Sequence, residues 1–100
     1  MIKVSITKKD NKIEKITMTG HAMYDEYGKD IVCAAASSIV ITTVNAILKI
    51  NEKAIQYKND DDLIITVNSF DTVTTSLINN MIDLLKELET QYKNNIKIII

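Results

Sequence analysis

The chain is poor in the residues that most often carry covalent and metal chemistry. A single cysteine, Cys33, stands among 100 residues; an internal disulfide is excluded, and a reducing compartment with a free thiol is the simplest setting. One cysteine and one histidine, His21, fall short of the ligand sets that hold zinc. Neither a metal nor another cofactor is expected. The formal charge is only −1, from 12 basic and 13 acidic residues. Such a balance supplies no long-range field to gather RNA, DNA or anionic lipid, so neither nucleic acid nor membrane is expected as a partner. The opening MIKVSITKKDNK turns charged before a signal-peptide core can build up. It reads as folded sequence of a cytoplasmic protein, and no linker or internal repeat follows it.

What is present is an ordinary soluble composition, 46% hydrophobic and 25% charged. One domain over residues 1–100 is expected. A chain this short buries a modest fraction of its surface on folding, so association with a second copy would add stability, and a homodimer is anticipated.

Hydropathy patterning supplies the elements. Ile2, Val4 and Ile6 alternate with Lys3, Ser5 and Thr7, the period of a half-buried strand, and the polar run Lys8 to Lys12 offers a turn. A second strand follows from about Ile13 to Thr19. There Ile16 and Met18 share one face while Ile13 is out of phase, as a bulge would make it. From Ile31 to Leu48 no residue is charged, and the run reaches the lower edge of a membrane-span length. Ser37, Ser38, Thr42, Thr43 and Asn45 inside it fit a buried helix of a soluble domain better, although the β-branched stretch Ile39 to Thr43 leans toward strand. Lys53 to Lys58 and Leu63 to Val67 form a second hairpin around Asn59-Asp60-Asp61-Asp62. Val73, Leu77, Met81, Leu84, Leu85, Leu88 and Tyr92 then recur at helical spacing, and Ile96 to Ile100 supplies a last strand. The order ββαββαβ predicts an α+β fold, a mixed or antiparallel sheet packed with two helices.

Both glycines, the histidine and the cysteine fall in one segment, GHAMYDEYGKDIVC. Gly20 and Gly28 bracket a connection that the reading treats as a hinged loop, with Tyr24 and Tyr27 available to line a groove. Asp30 is a good N-cap, which would set Cys33 at the third position of the following helix, where free amides and the helix dipole favour a thiolate. The competing reading makes Cys33 a small buried hydrophobe beside Ala34. His21 lies twelve residues before Cys33, close enough in sequence for the chain to fold back. An imidazole there can take the thiol proton and return it to a leaving amine; alone, it reads as an ordinary loop histidine. Asp30 has a second possible role, orienting His21 as the third member of a triad. Main-chain amides at the helix start, that of Cys33 among them, are the candidates for an oxyanion hole.

The segment TGHAMYDEYGKDIVCAAASS, residues 19–38, resembles the signature of the ribosomal-processing cysteine protease family. The resemblance rests on a Gly-His-Ala start, a glycine before Lys-Asp-Ile-Val-Cys, and a small-residue helix ending in serine. It implies a cysteine endopeptidase that removes a short N-terminal extension from a large-subunit ribosomal protein precursor during ribosome assembly. The family's histidine and cysteine carry over to His21 and Cys33, and Gly20, Asp30 and Ser37 to motif positions near the substrate. It implies as well a homodimer and a loop between the catalytic residues that orders on the substrate peptide. Two alternatives keep the same chain without peptidase chemistry. One makes Cys33 a redox or transfer centre, against which no resolving cysteine is present, and the other a non-enzymatic ribosome-assembly factor.

Overall fold

The structure, a computed structural model, describes residues 1–20 and 27–100, with side chains described for 1–20 and 31–100. Strands β1 (Ile2–Lys9) and β2 (Lys12–Thr19) form an antiparallel hairpin. Asp10 and Asn11 both adopt positive φ, 53° and 64°. That is the conformation a two-residue turn needs to match the twist of its strands, and short polar side chains tolerate it best. The register shifts by one residue between Thr7, opposite Lys15, and Lys8, opposite Ile13, leaving Glu14 without a cross-strand partner. This is the bulge that the phase of Ile13 predicted. Its effect is to return Ile13 to the side of Ile16 and Met18, where it packs against the core.

Helix α1 (Tyr27–Ile50) follows, then β3 (Ile55–Asn59), β4 (Leu63–Val67), α2 (Thr72–Gln91) and β5 (Ile96–Ile99). The expected order ββαββαβ and α+β class are found. The strands run β3-β4-β2-β1-β5 across one mixed sheet, with β5 parallel to β1 and the other pairs antiparallel. Ile2, Val4, Ile6, Ile16, Met18, Leu63, Ile65 and Ile96 point to one face, which both helices close. On α1 the buried side chains Val32, Ala36, Val40, Val44 and Ile47 recur every three or four residues. The β-branched stretch stays helical, and the Thr43 hydroxyl donates to the Ile39 carbonyl at 2.9 Å, so burial leaves it no unmet hydrogen bond.

Two boundaries differ from the sequence expectation. The α1 helix begins at Tyr27, so Gly28 lies within its first turn and Asp30 is its fourth residue, not its N-cap. An acidic residue is favourable anywhere in a first helical turn, and the sequence signal alone does not separate that turn from the cap. On α2 the buried set is Thr74, Ile78, Met81, Ile82, Leu85 and Leu88, whereas Val73, Leu84 and Tyr92 of the expected stripe are exposed. The helix carries two overlapping apolar stripes, and packing selects the one that Ile78 and Ile82 complete.

Candidate active site

The last residue before the candidate site is fixed by backbone geometry. Gly20 closes β2 with φ +76°, and a Cβ built on it would lie 2.5 Å from the Met1 carbonyl oxygen. Both the positive φ and the close approach of the Met1 backbone require glycine there. The strand β2 therefore ends at a defined point against the first residue of β1, immediately before His21. His21, Tyr24 and the rest of the expected loop up to Glu26 lie outside the described residues.

Cys33 sits on α1, half-buried and packed against the core cluster. Its place is the seventh of the helix, not the third. Orphan amides occupy only the first four positions of a helix, and the dipole's influence fades beyond the first turn. The expectation of a thiolate held by free amides at the helix start is therefore corrected. So is the suggestion that the Cys33 amide lines an oxyanion hole. Cys33 is less buried than Val32 and Ala36 of the same helix, which are wholly buried.

Ser37 lies one turn further along α1, half-buried, and the spacing of four puts Cys33 and Ser37 on one flank of the helix, with Cβ atoms about 5–6 Å apart. The Asp30 backbone precedes them by one turn on the same helix; its side chain is outside the described set. Thus α1 carries Cys33, Ser37 and Asp30, and the end of β2 carries Gly20.

Elsewhere, a cavity of about 420 Å³ opens between the β1–β2 turn and the start of α2, lined by Lys8, Lys12, Phe70 and Thr75 among others. It lies at the end of the sheet away from the β2–α1 connection, and its described lining residues do not include Cys33. The Lys12 ammonium stands 5.2 Å from the centre of the Phe70 ring, a cation–π contact that ties the hairpin to the β4–α2 connection. Among the described residues no grouping of three or more His, Cys, Asp and Glu approaches a metal-binding arrangement.

The chain is a cysteine protease by family: the family described as cysteine protease Prp matches residues 1–97, and the chain belongs to it. It is 34% identical over 103 residues to the ribosomal processing cysteine protease Prp of Staphylococcus aureus, across 98% of this chain and 97% of that protein. The crystal structure of the essential S. aureus Prp in complex with a substrate peptide matches with TM-score 0.90 and 31% identity, over 98% of this chain and 97% of that one. A second S. aureus structure, with a covalently linked product peptide, matches with TM-score 0.87 and 33% identity, over 99% and 98% of the two chains.

Proposed function

We propose that this protease removes a short N-terminal extension from a bacterial large-subunit ribosomal protein precursor in the cytoplasm during ribosome assembly, with Cys33 as nucleophile and His21 as its base and acid. The observation that carries the mechanism is a half-buried cysteine on α1, in a chain whose single histidine follows directly on the glycine that ends β2. The name of the S. aureus relative, and its structure with a covalently linked product peptide, support a ribosomal substrate and a covalent route.

In the proposed reaction the Cys33 thiol gives its proton to the His21 imidazole and its sulfur attacks the scissile carbonyl carbon. The carbon–nitrogen bond then breaks as the imidazolium protonates the leaving amine, leaving a thioester. Water, deprotonated by the imidazole, adds to the thioester; the carbon–sulfur bond breaks, and the sulfur recovers its proton. With Cys33 in the second helical turn, activation of the thiol falls to His21 and not to the helix terminus. Gly20, Asp30 and Ser37 are proposed to border the bound peptide, and Ser37 shares the flank of α1 that carries the sulfur.

Incubation with full-length precursor ribosomal proteins, followed by mass spectrometry of new N-termini, tests the proposal. Cys33→Ala is expected to abolish cleavage, and His21→Ala to lower kcat by about 10²–10⁴-fold. Cleavage by Cys33→Ala at the wild-type rate would overturn the mechanism, and absence of a new N-terminus in any ribosomal protein would overturn the substrate.

A homodimer is proposed with it. The face of α1 turned away from the sheet carries Ile31, 50% exposed, and Ile41, 39% exposed, together with Ala34. A second copy of the chain would cover it.

A further inference from the structure

Among the described residues, the two helices close one face of the sheet and none covers the other across its five strands. The register decides what stands on that open face. Lys9 is opposite Lys12, Lys15 is opposite Thr7 on one side and Thr66 on the other, and Lys3 is opposite both Thr19 and Lys97. Lys58 is opposite Ile64 at the far strand. Lys3, Lys15, Lys58 and Lys97 alternate with residues packed in or against the core and project outward, as does Lys9 in register with Thr7, and all five are exposed; the Lys12 side chain turns instead to Phe70 on the helix side. The outward lysines are five of the chain's 12 basic residues. No acidic residue occupies a paired outward position of the described strands. The acids nearby are Asp10 in the hairpin turn, Glu14 at the bulge, and Asp60 to Asp62 bordering one corner. The charge of −1 over the whole chain therefore conceals a segregation that only sheet register produces.

We infer that this open face binds the phosphate backbone of RNA, without regard to base sequence. Five strands spaced about 4.8 Å apart make a surface about 20 Å wide, over which the ammonium groups are distributed in two dimensions. Between them lie Ser5, Thr7, Thr17, Thr19 and Thr66, whose hydroxyls are suited to phosphate oxygens. No aromatic ring projects outward from the paired positions, Tyr57 being on the inner side, so base stacking is absent and the recognition is electrostatic. A second copy of the chain does not fit this face, since two such surfaces would set lysine against lysine. The surface lies on the opposite side of the sheet from α1 and Cys33, so RNA and a peptide substrate would be held together without overlap. This inference does not depend on the peptidase assignment.

The test is fluorescence anisotropy with a labelled poly(U) RNA of about 20 nucleotides, between about 50 and 200 mM salt. The wild type is expected to bind at the low end, with a slope of log affinity against log salt of about −3, as neutralisation of about four phosphates gives. The K3Q/K15Q/K58Q/K97Q variant is expected to lose about tenfold or more in affinity, at unchanged Tm and unchanged peptide cleavage. K3R/K15R/K58R/K97R is expected to retain binding, and the milder K3Q/K97Q to flatten the slope by about 1 to 2. K86Q/K93Q, on α2 and beyond its end, is the control and is expected to change nothing. Binding by the quadruple glutamine variant equal to wild type, a slope flatter than about −1, or no binding at the lowest salt would overturn the inference. So would polyglutamate displacing the RNA at equal charge, which would reassign the face to acidic protein segments, or binding to anionic phosphatidylserine vesicles in place of RNA.

Discussion

Gly20 and Asp71 show how single residues set the two ends of the molecule. At Gly20, alanine would have to adopt φ near +76° and place its Cβ against the Met1 carbonyl. The left-handed conformation alone costs about 1–2 kcal/mol. Gly20→Ala is therefore expected to lower Tm by about 4 °C or more, measured by thermal unfolding, and to reduce cleavage through displacement of the adjoining His21. Asp71 caps α2: its carboxylate accepts from the Thr74 amide at 2.8 Å. Hydrogen bonds from Thr74, side chain and then backbone, with a smaller one from Ser69, hold its pKa below the ordinary value. A depressed folded-state pKa stabilises the fold above the unfolded-state value near 4 and loses that contribution as pH falls through the lower folded value. Asp71→Ala should accordingly have a lower Tm than wild type at pH 7, with the difference shrinking toward zero as the solution is acidified below about pH 4. His21 and Cys33 were legible as candidates because each is the single residue of its type in the sequence. Asp30 was not placed correctly, because acidic residues suit both the cap and the first turn of a helix.

At the level of elements, α2 shows that amphipathic spacing predicts a helix better than it predicts the helix's orientation. Val73 and Leu84 remain 47% and 39% exposed while Ile78 and Ile82 enter the core. Ile78→Ala is expected to cost about 2–5 kcal/mol by denaturant unfolding, and Val73→Ala less than about 0.5 kcal/mol. Comparable losses at both positions would contradict the observed face. The edge strand β5 is held from the same helix, since the Ile98 amide donates to the Glu89 carboxylate at 2.7 Å. Glu89→Ala removes that acceptor from a half-buried amide and is expected to cost about 1–3 kcal/mol, with faster hydrogen exchange at Ile98 as the local readout. Nothing in the spacing of either segment foretold this bond, because it joins residues nine apart across a chain reversal.

For the whole molecule, the long helix α1 is apolar enough by length and composition to cross a bilayer, and the fold uses one of its faces against the sheet. The opposite face is the surface proposed for a second copy. Ile41→Lys is expected to shift the protein from dimer to monomer in light scattering coupled to size exclusion, leaving the secondary structure unchanged by circular dichroism. A dimer that persists with this substitution would place the interface elsewhere.

The order of the seven elements, a turn within Lys8 to Lys12, the bulge marked by Ile13 and the membership of the peptidase family were determined by the sequence alone. Each depends on local alternation, local φ preference or a contiguous motif, and a linear pattern records such things directly. Tertiary structure decided which stripe of α2 is buried, that β5 pairs parallel to β1, how far Cys33 lies from the start of its helix, and that five of the 12 lysines share one face. These depend on contacts between segments distant in sequence, where several local solutions are nearly equal in energy and only the packing of the whole separates them.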